Sequence, residues 1–137
     1  MEFKFYVDKK RYTVVAKAID PYKEYYEEFK NFYRKNSMTP DYSIWESFVE
    51  KEHNQIDKMV GISVCNTAAG DNFSENLGKK IAKERYLKTF EAYRIHLYTM
   101  IARKFSDMYS QAWIRTEKSI MRRLERDDKI SGLLMRN

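Results

Sequence analysis

At 137 residues the chain has the size of one domain and is long enough to bury a core. Glycine (4) and proline (2) are scarce while Tyr (11) and Phe (8) are abundant, which excludes a disordered or low-complexity chain and points to a helix-rich globular fold. The net charge of +6 is concentrated: residues 1–60 carry 11 Lys/Arg against 11 Asp/Glu, whereas residues 79–126 carry 13 against 5, so a nucleotide, a nucleic acid or an acidic partner suits the C-terminal region.

Residues 1–19 alternate, with Phe3, Phe5 and Val7 followed by Tyr12, Val14, Ala16 and Ala18 around Asp8-Lys9-Lys10. This pattern predicts a β-hairpin, although the turn lacks the favoured Asn-Gly or Asp-Gly pair. Asp20-Pro21 then forms a helix start, Asp as cap and Pro in the first turn. Tyr22, Tyr25, Tyr26, Phe29, Phe32 and Tyr33 make an aromatic stripe at helical spacing, read as core or interface, as far as about Lys35. Asn36–Pro40 breaks that helix, and Asp41-Tyr42-Ser43 begins a second through about Gln55, with Ile44, Trp45, Phe48 and Val49 inward. Residues 20–56 are thus a helical insertion.

Residues 58–66 read as a third strand, through Val60, Ile62 and Val64, and a polar loop follows. Between Lys79 and Ser131 there is neither glycine nor proline, so residues 74–130 form one very long helix or two joined by a bend near Ser106-Asp107 or Ser110. The tail from Ser131 is expected to fray. Leu77, Ile81, Phe90, Leu97, Ile101, Phe105 and Met108 mark one apolar face, which Ala112, Trp113, Ile120 and Leu124 continue. One small sheet cannot cover so long a face, so the helices are expected to pair in a homodimer. The fold class is α+β in a single domain: a small N-terminal antiparallel sheet, a helical insertion and long C-terminal helices.

Little points to catalysis. Cys65 is the single cysteine, which excludes an intrachain disulfide. His53 and His96 fall on different predicted helices without ligand spacing, so neither a metal nor a cofactor is expected. Cys65 with either histidine would make a nucleophile–base pair, but a small buried residue at a strand end explains it as well. Met1–Val7 is short and charged, unlike a secretory signal, and no apolar run approaches the length that spans a bilayer. A soluble protein of a reducing cytoplasm, with no membrane partner and no enzymatic activity, is the expectation.

The strand–loop–helix junction at 61–85 carries the chemistry. Unpaired N–H groups and the helix dipole favour an anion at such a helix start. Phe73 offers a ring face to a base, Asn72 reads its polar edge, and Lys79, Lys80 and Arg85 hold phosphates. A structural reading stands beside it: Asp71 or Ser74 caps the helix, Phe73 staples the loop to the core, and Gly78 permits close helix–strand packing. Arg115, Lys118 and Arg122 share one helix face, with Arg123 and Arg126 close by. This basic face is solvated, tracks a nucleic-acid backbone, or, in an antiparallel helix pair, closes the junction through Arg115, Arg122 and Arg123.

Val64-Cys65-Asn66, Asp71-Asn72-Phe73, Gly78-Lys79-Lys80-Ile81-Ala82 and Arg85 together resemble the first type of Thoeris anti-defence protein, the phage sponge family. The resemblance implies a phage protein that sequesters a glycocyclic ADP-ribose signal without degrading it, built from helix-paired dimers that assemble further and then also bind cyclic oligonucleotides. The chain departs from that pattern in its segment 20–56 and in a longer, proline-free loop from Cys65 to Asp71. Two other readings stand: an anti-defence or anti-CRISPR inhibitor that binds a protein directly, and a small DNA-binding phage regulator.

Overall fold

A computed structural model describes residues 1–70 and 72–135, of which 69 and 133–135 by backbone alone. The fold is α+β. Strands β1 (Phe3–Asp8), β2 (Thr13–Ala18) and β3 (Gly61–Val64) form one antiparallel sheet in the order β1-β2-β3. Helices α1 (Pro21–Lys35) and α2 (Tyr42–Asp57) come between β2 and β3, and α3 (Glu75–Met135) completes the chain after a 3₁₀ turn at Thr67–Ala69. By contacts the chain divides into two units, Met1–Met100 and Ile101–Asn137.

The hairpin holds its register through a side chain rather than an Asn-Gly turn. Asp8 Oδ1 accepts from the N–H groups of Lys10 and Arg11 at 3.0 and 3.2 Å, and Tyr12 takes the left-handed conformation at φ 51°. Phe3 then faces Ala18 and Val7 faces Val14 across the pair. Alternation puts Phe3, Phe5, Val7, Val14, Ala16 and Ala18 on the covered face and Lys4, Tyr6 and Lys17 on the open one.

Two glycines let α3 lie close to this sheet. A Cβ on Gly61 would fall 1.9 Å from the Ala82 carbonyl oxygen, and one on Gly78 would fall 2.7 Å from Val14 Cγ2. The face of α3 toward the sheet is therefore Gly78, Ala82 and Tyr86, with Tyr86 wholly buried and edge-on to Phe3 at 5.2 Å.

Aromatic side chains join α1 and α2 to α3. Asp20 caps α1 through a 3.1 Å bond from Lys23 N–H, with Pro21 in the first turn. Tyr25, Phe29 and Tyr33 are buried on α1, as are Ile44, Phe48 and Ile56 on α2. Tyr25 stacks on Phe90 at 4.2 Å and meets Phe48 at 5.7 Å. Tyr98 donates to Glu28, and Tyr93 donates to Gln55 at 3.3 Å.

Two expectations need correction. No break between two helices falls at Ser106-Asp107 or Ser110, since α3 is helical throughout Glu75–Met135. Ser and Asp cost a helix only a few tenths of a kcal/mol each, and sharp kinks need a proline, a glycine pair or an inserted group. The helix also continues beyond Ser131, as far as Met135; residues 136 and 137 lie outside the described residues. Ala112, Trp113, Ile120 and Leu124, which continue the apolar face of α3, are not covered within the chain. They are exposed, Trp113 to 64%.

Candidate ligand site at the strand–helix junction

β3, the loop after it and the first two turns of α3 enclose a pocket of about 350 Å³. Asn66, Asn72, Phe73, Ser74, Leu77 and Ile81 line it, together with the end of β3 at Ser63–Cys65 and with Gly78. Ser74 caps the helix: its Oγ accepts from Leu77 N–H at 3.3 Å, and its carbonyl accepts from Gly78 N–H at 2.9 Å. Asp71, the other cap candidate, lies outside the described residues. Cys65 N–H donates to the Tyr12 carbonyl at 2.9 Å, which ties the pocket's strand wall to the hairpin loop.

Phe73 fills the structural role read from the sequence and also lines the pocket. It is half-buried against the cluster of Val14, Ala16 and Ala82, lies 5.8 Å from the Tyr12 ring, and presents its remaining surface to the pocket. Asn72 and Asn66 lie in the same wall. One ring, two carboxamides and a helix start thus converge, a set that can stack a planar group, read a polar edge and accept an anion.

The predicted cations are placed elsewhere. Lys79 pairs with Glu75 at 3.3 Å and lies 5.8 Å from the Phe5 ring centroid, on the β1 side of the helix. Lys80 is exposed, two residues from Gly78 and so on the face turned from the sheet. Arg85 donates from Nη1 to the Ile62 carbonyl at 2.6 Å. Ile62 belongs to an edge strand, and the guanidinium blunts that edge. Among the described residues the pocket lining holds no Lys or Arg. Arg115, Arg122 and Arg123 belong to the second unit, all exposed, with Arg115 Nε donating to the Gln111 carbonyl at 3.3 Å.

Compared with protein-family models, curated proteins and solved structures, the chain finds no match. Function must therefore be argued from geometry alone. Among the described residues no group of three His, Cys, Asp or Glu is placed to hold a metal, and no helix is long and apolar enough to cross a membrane. His53 is engaged between Tyr22, 2.7 Å from its Nδ1, and Asp57, 3.1 Å from its Nε2. Burial, reinforced by Asp57, pushes the Tyr22 hydroxyl up to about 12, so it is protonated at neutral pH.

Sequence reasoning missed a second cleft, in the groove between α1 and α2, lined by Tyr22, Tyr26, Tyr42 and Trp45. These rings repeat at the spacing of the core stripe beside them. The signal that separates them is Asp20 and Glu46, which a buried face would not carry.

Proposed function

We propose that this chain is a non-enzymatic binding protein that sequesters a nucleotide-type signal, of the glycocyclic ADP-ribose kind, in the junction pocket. The observation that supports this reading is the convergence of Phe73, Asn66 and Asn72 on a pocket of about 350 Å³ at the start of α3. That volume is at the low end of small-molecule sites, so a base and its ribose fill it and the phosphates extend along the helix start. There the dipole of α3 takes the part assigned to Lys79, Lys80 and Arg85. The overall charge of +6 draws the anion in.

The test is calorimetric titration with purified glycocyclic ADP-ribose isomers, followed by heat release and mass analysis of what was bound. Saturable binding with the ligand recovered intact is the expected result. Phe73→Ala should weaken it about tenfold, the usual worth of a stacked base, and Asn72→Ala less. Conversion of the ligand, or no binding by the folded protein, would sink the reading.

The proposal includes a homodimer formed through α3. Tyr109, Trp113, Ile120 and Leu124 follow one another along the helix and are exposed from 50% to 74%. Water contact over such a row is costly, and a second copy of the helix removes it. Sedimentation equilibrium at micromolar concentration is expected to give twice the monomer mass. A monomer there would remove the dimer and leave the pocket reading intact. A second reading, contact with a nucleic-acid backbone, is favoured by the exposed Arg115, Lys118, Arg122 and Arg126 on that same helix.

A further inference from the structure

The cleft between α1 and α2 measures about 570 Å³ and shares no residue with the junction pocket. Its walls are rings held in place. Tyr22 donates to the His53 carbonyl at 2.9 Å and stacks on the His53 ring at 5.5 Å. Tyr26 lies 5.3 Å from Trp45, and Trp45 in turn lies 5.6 Å from the buried Phe48. Tyr42 closes one side, 6.4 Å from Tyr26 and 47% exposed. Tyr22, Tyr26 and Trp45 are half-buried, and their remaining surface lines an open depression.

Two ligand classes use walls of this kind, nucleobases and organic cations. Charge decides between them. The lining holds two carboxylates, Asp20 and Glu46, against one ammonium, Lys23, in a chain whose net charge is +6. Phosphates would be repelled by these carboxylates. A cation would be attracted by the carboxylates and by the negative ring faces together. The same group of rings already holds one: Lys30 Nζ lies 4.6 Å from the Tyr26 ring centroid.

We infer that this cleft binds an organic cation, an ammonium or guanidinium group, seated among the Tyr22, Tyr26, Tyr42 and Trp45 rings with Asp20 and Glu46 balancing its charge. The group belongs either to a free amine or to a basic side chain of a protein, and both present the same chemistry to the cleft.

Trp45 and Trp113 are the two tryptophans, so Trp113→Phe leaves Trp45 as the one tryptophan, excited selectively at wavelengths tyrosine does not absorb. In that variant, emission is followed during titration with choline, with N-acetylarginine amide, and with 3,3-dimethylbutan-1-ol, the uncharged counterpart of choline. A saturable change with at least one cation is expected, with a midpoint on the order of millimolar. The alcohol should bind about fivefold more weakly than choline if choline is the better cation. Glu46→Gln alters an exposed side chain, and should weaken the cation about threefold without changing the alcohol. Preference for choline assigns a free amine, and preference for the arginine amide assigns a protein-borne side chain. If neither cation gives a saturable change, or if Glu46→Gln leaves cation binding untouched, the inference falls. Neither result bears on the junction pocket.

Discussion

Gly61→Ala is expected to destabilise the protein by about 3 kcal/mol, the upper end of overpacking costs, and to lower its melting temperature by roughly 10 °C. The reason is the kind of atom in the way. The added methyl carbon would lie 1.9 Å from the Ala82 carbonyl oxygen and 2.6 Å from the Tyr86 backbone nitrogen. A crowded side chain can change rotamer, but a helix backbone can only shift as a whole. Moving α3 off the sheet would open the cluster of Val14, Ala16 and Ala82 and, with it, the wall that Phe73 leans on. Gly132→Ala is the internal control. Nothing lies within 4 Å of the position a Cβ would take there, and the residue is helical. Alanine at that position is expected to be neutral or to stabilise by up to about 1 kcal/mol. Urea unfolding of both variants measures the difference. A Gly61→Ala protein within about 0.5 kcal/mol of the wild type would mean that α3 does not sit this close to β3.

Much of this architecture is written in local signals. The alternation of Phe3, Phe5 and Val7 with Val14, Ala16 and Ala18 has period two, and the structure buries those residues to one side. Asp20-Pro21 starts α1, and the absence of Pro and Gly between Lys79 and Ser131 leaves one helix. The junction's chemistry was half legible. Asn72 and Phe73 could be placed because the chain must pass over the helix start that they precede. The cations could not be, because a helix carries its side chains around a full circle and sequence alone does not say which arc meets the sheet. Gly78, Ala82 and Tyr86 occupy that arc. Lys79, one residue past Gly78, is swung toward Phe5, and Lys80 is swung to solvent. Tyr86 was likewise missed as a core residue, since a tyrosine among lysines and glutamates reads as surface until its packing against Phe3 is seen.

The two clefts share no residues, and their charges suit opposite ligands. At the junction, carboxamides, a ring and a helix N-terminus favour an anion with a planar group. Between α1 and α2, rings and carboxylates favour a cation. The proposed cation site in segment 20–56 depends on α1 staying in place.

Tyr25 is the residue on which that placement depends most. It is wholly buried, stacks on Phe90 at 4.2 Å with 13° between the ring planes, and meets Phe48 of α2 at 5.7 Å. Its hydroxyl donates to the Phe90 carbonyl at 2.8 Å, and burial holds it protonated. One side chain therefore touches α1, α2 and α3. Tyr25→Ala is expected to cost about 3–5 kcal/mol, the usual penalty for emptying a large aromatic site. Tyr25→Phe should cost only about 1 kcal/mol, the net worth of one hydrogen bond, because the ring stays and the Phe90 carbonyl keeps its place in the helix. The pair separates packing from polarity. The fluorescence of Trp45 reports the same event locally: it lies beside Phe48, 5.6 Å away, and should become more solvent-exposed in Tyr25→Ala before the sheet melts. Equal losses from both variants would show that the hydroxyl, and not the stacked ring, holds the insertion on α3.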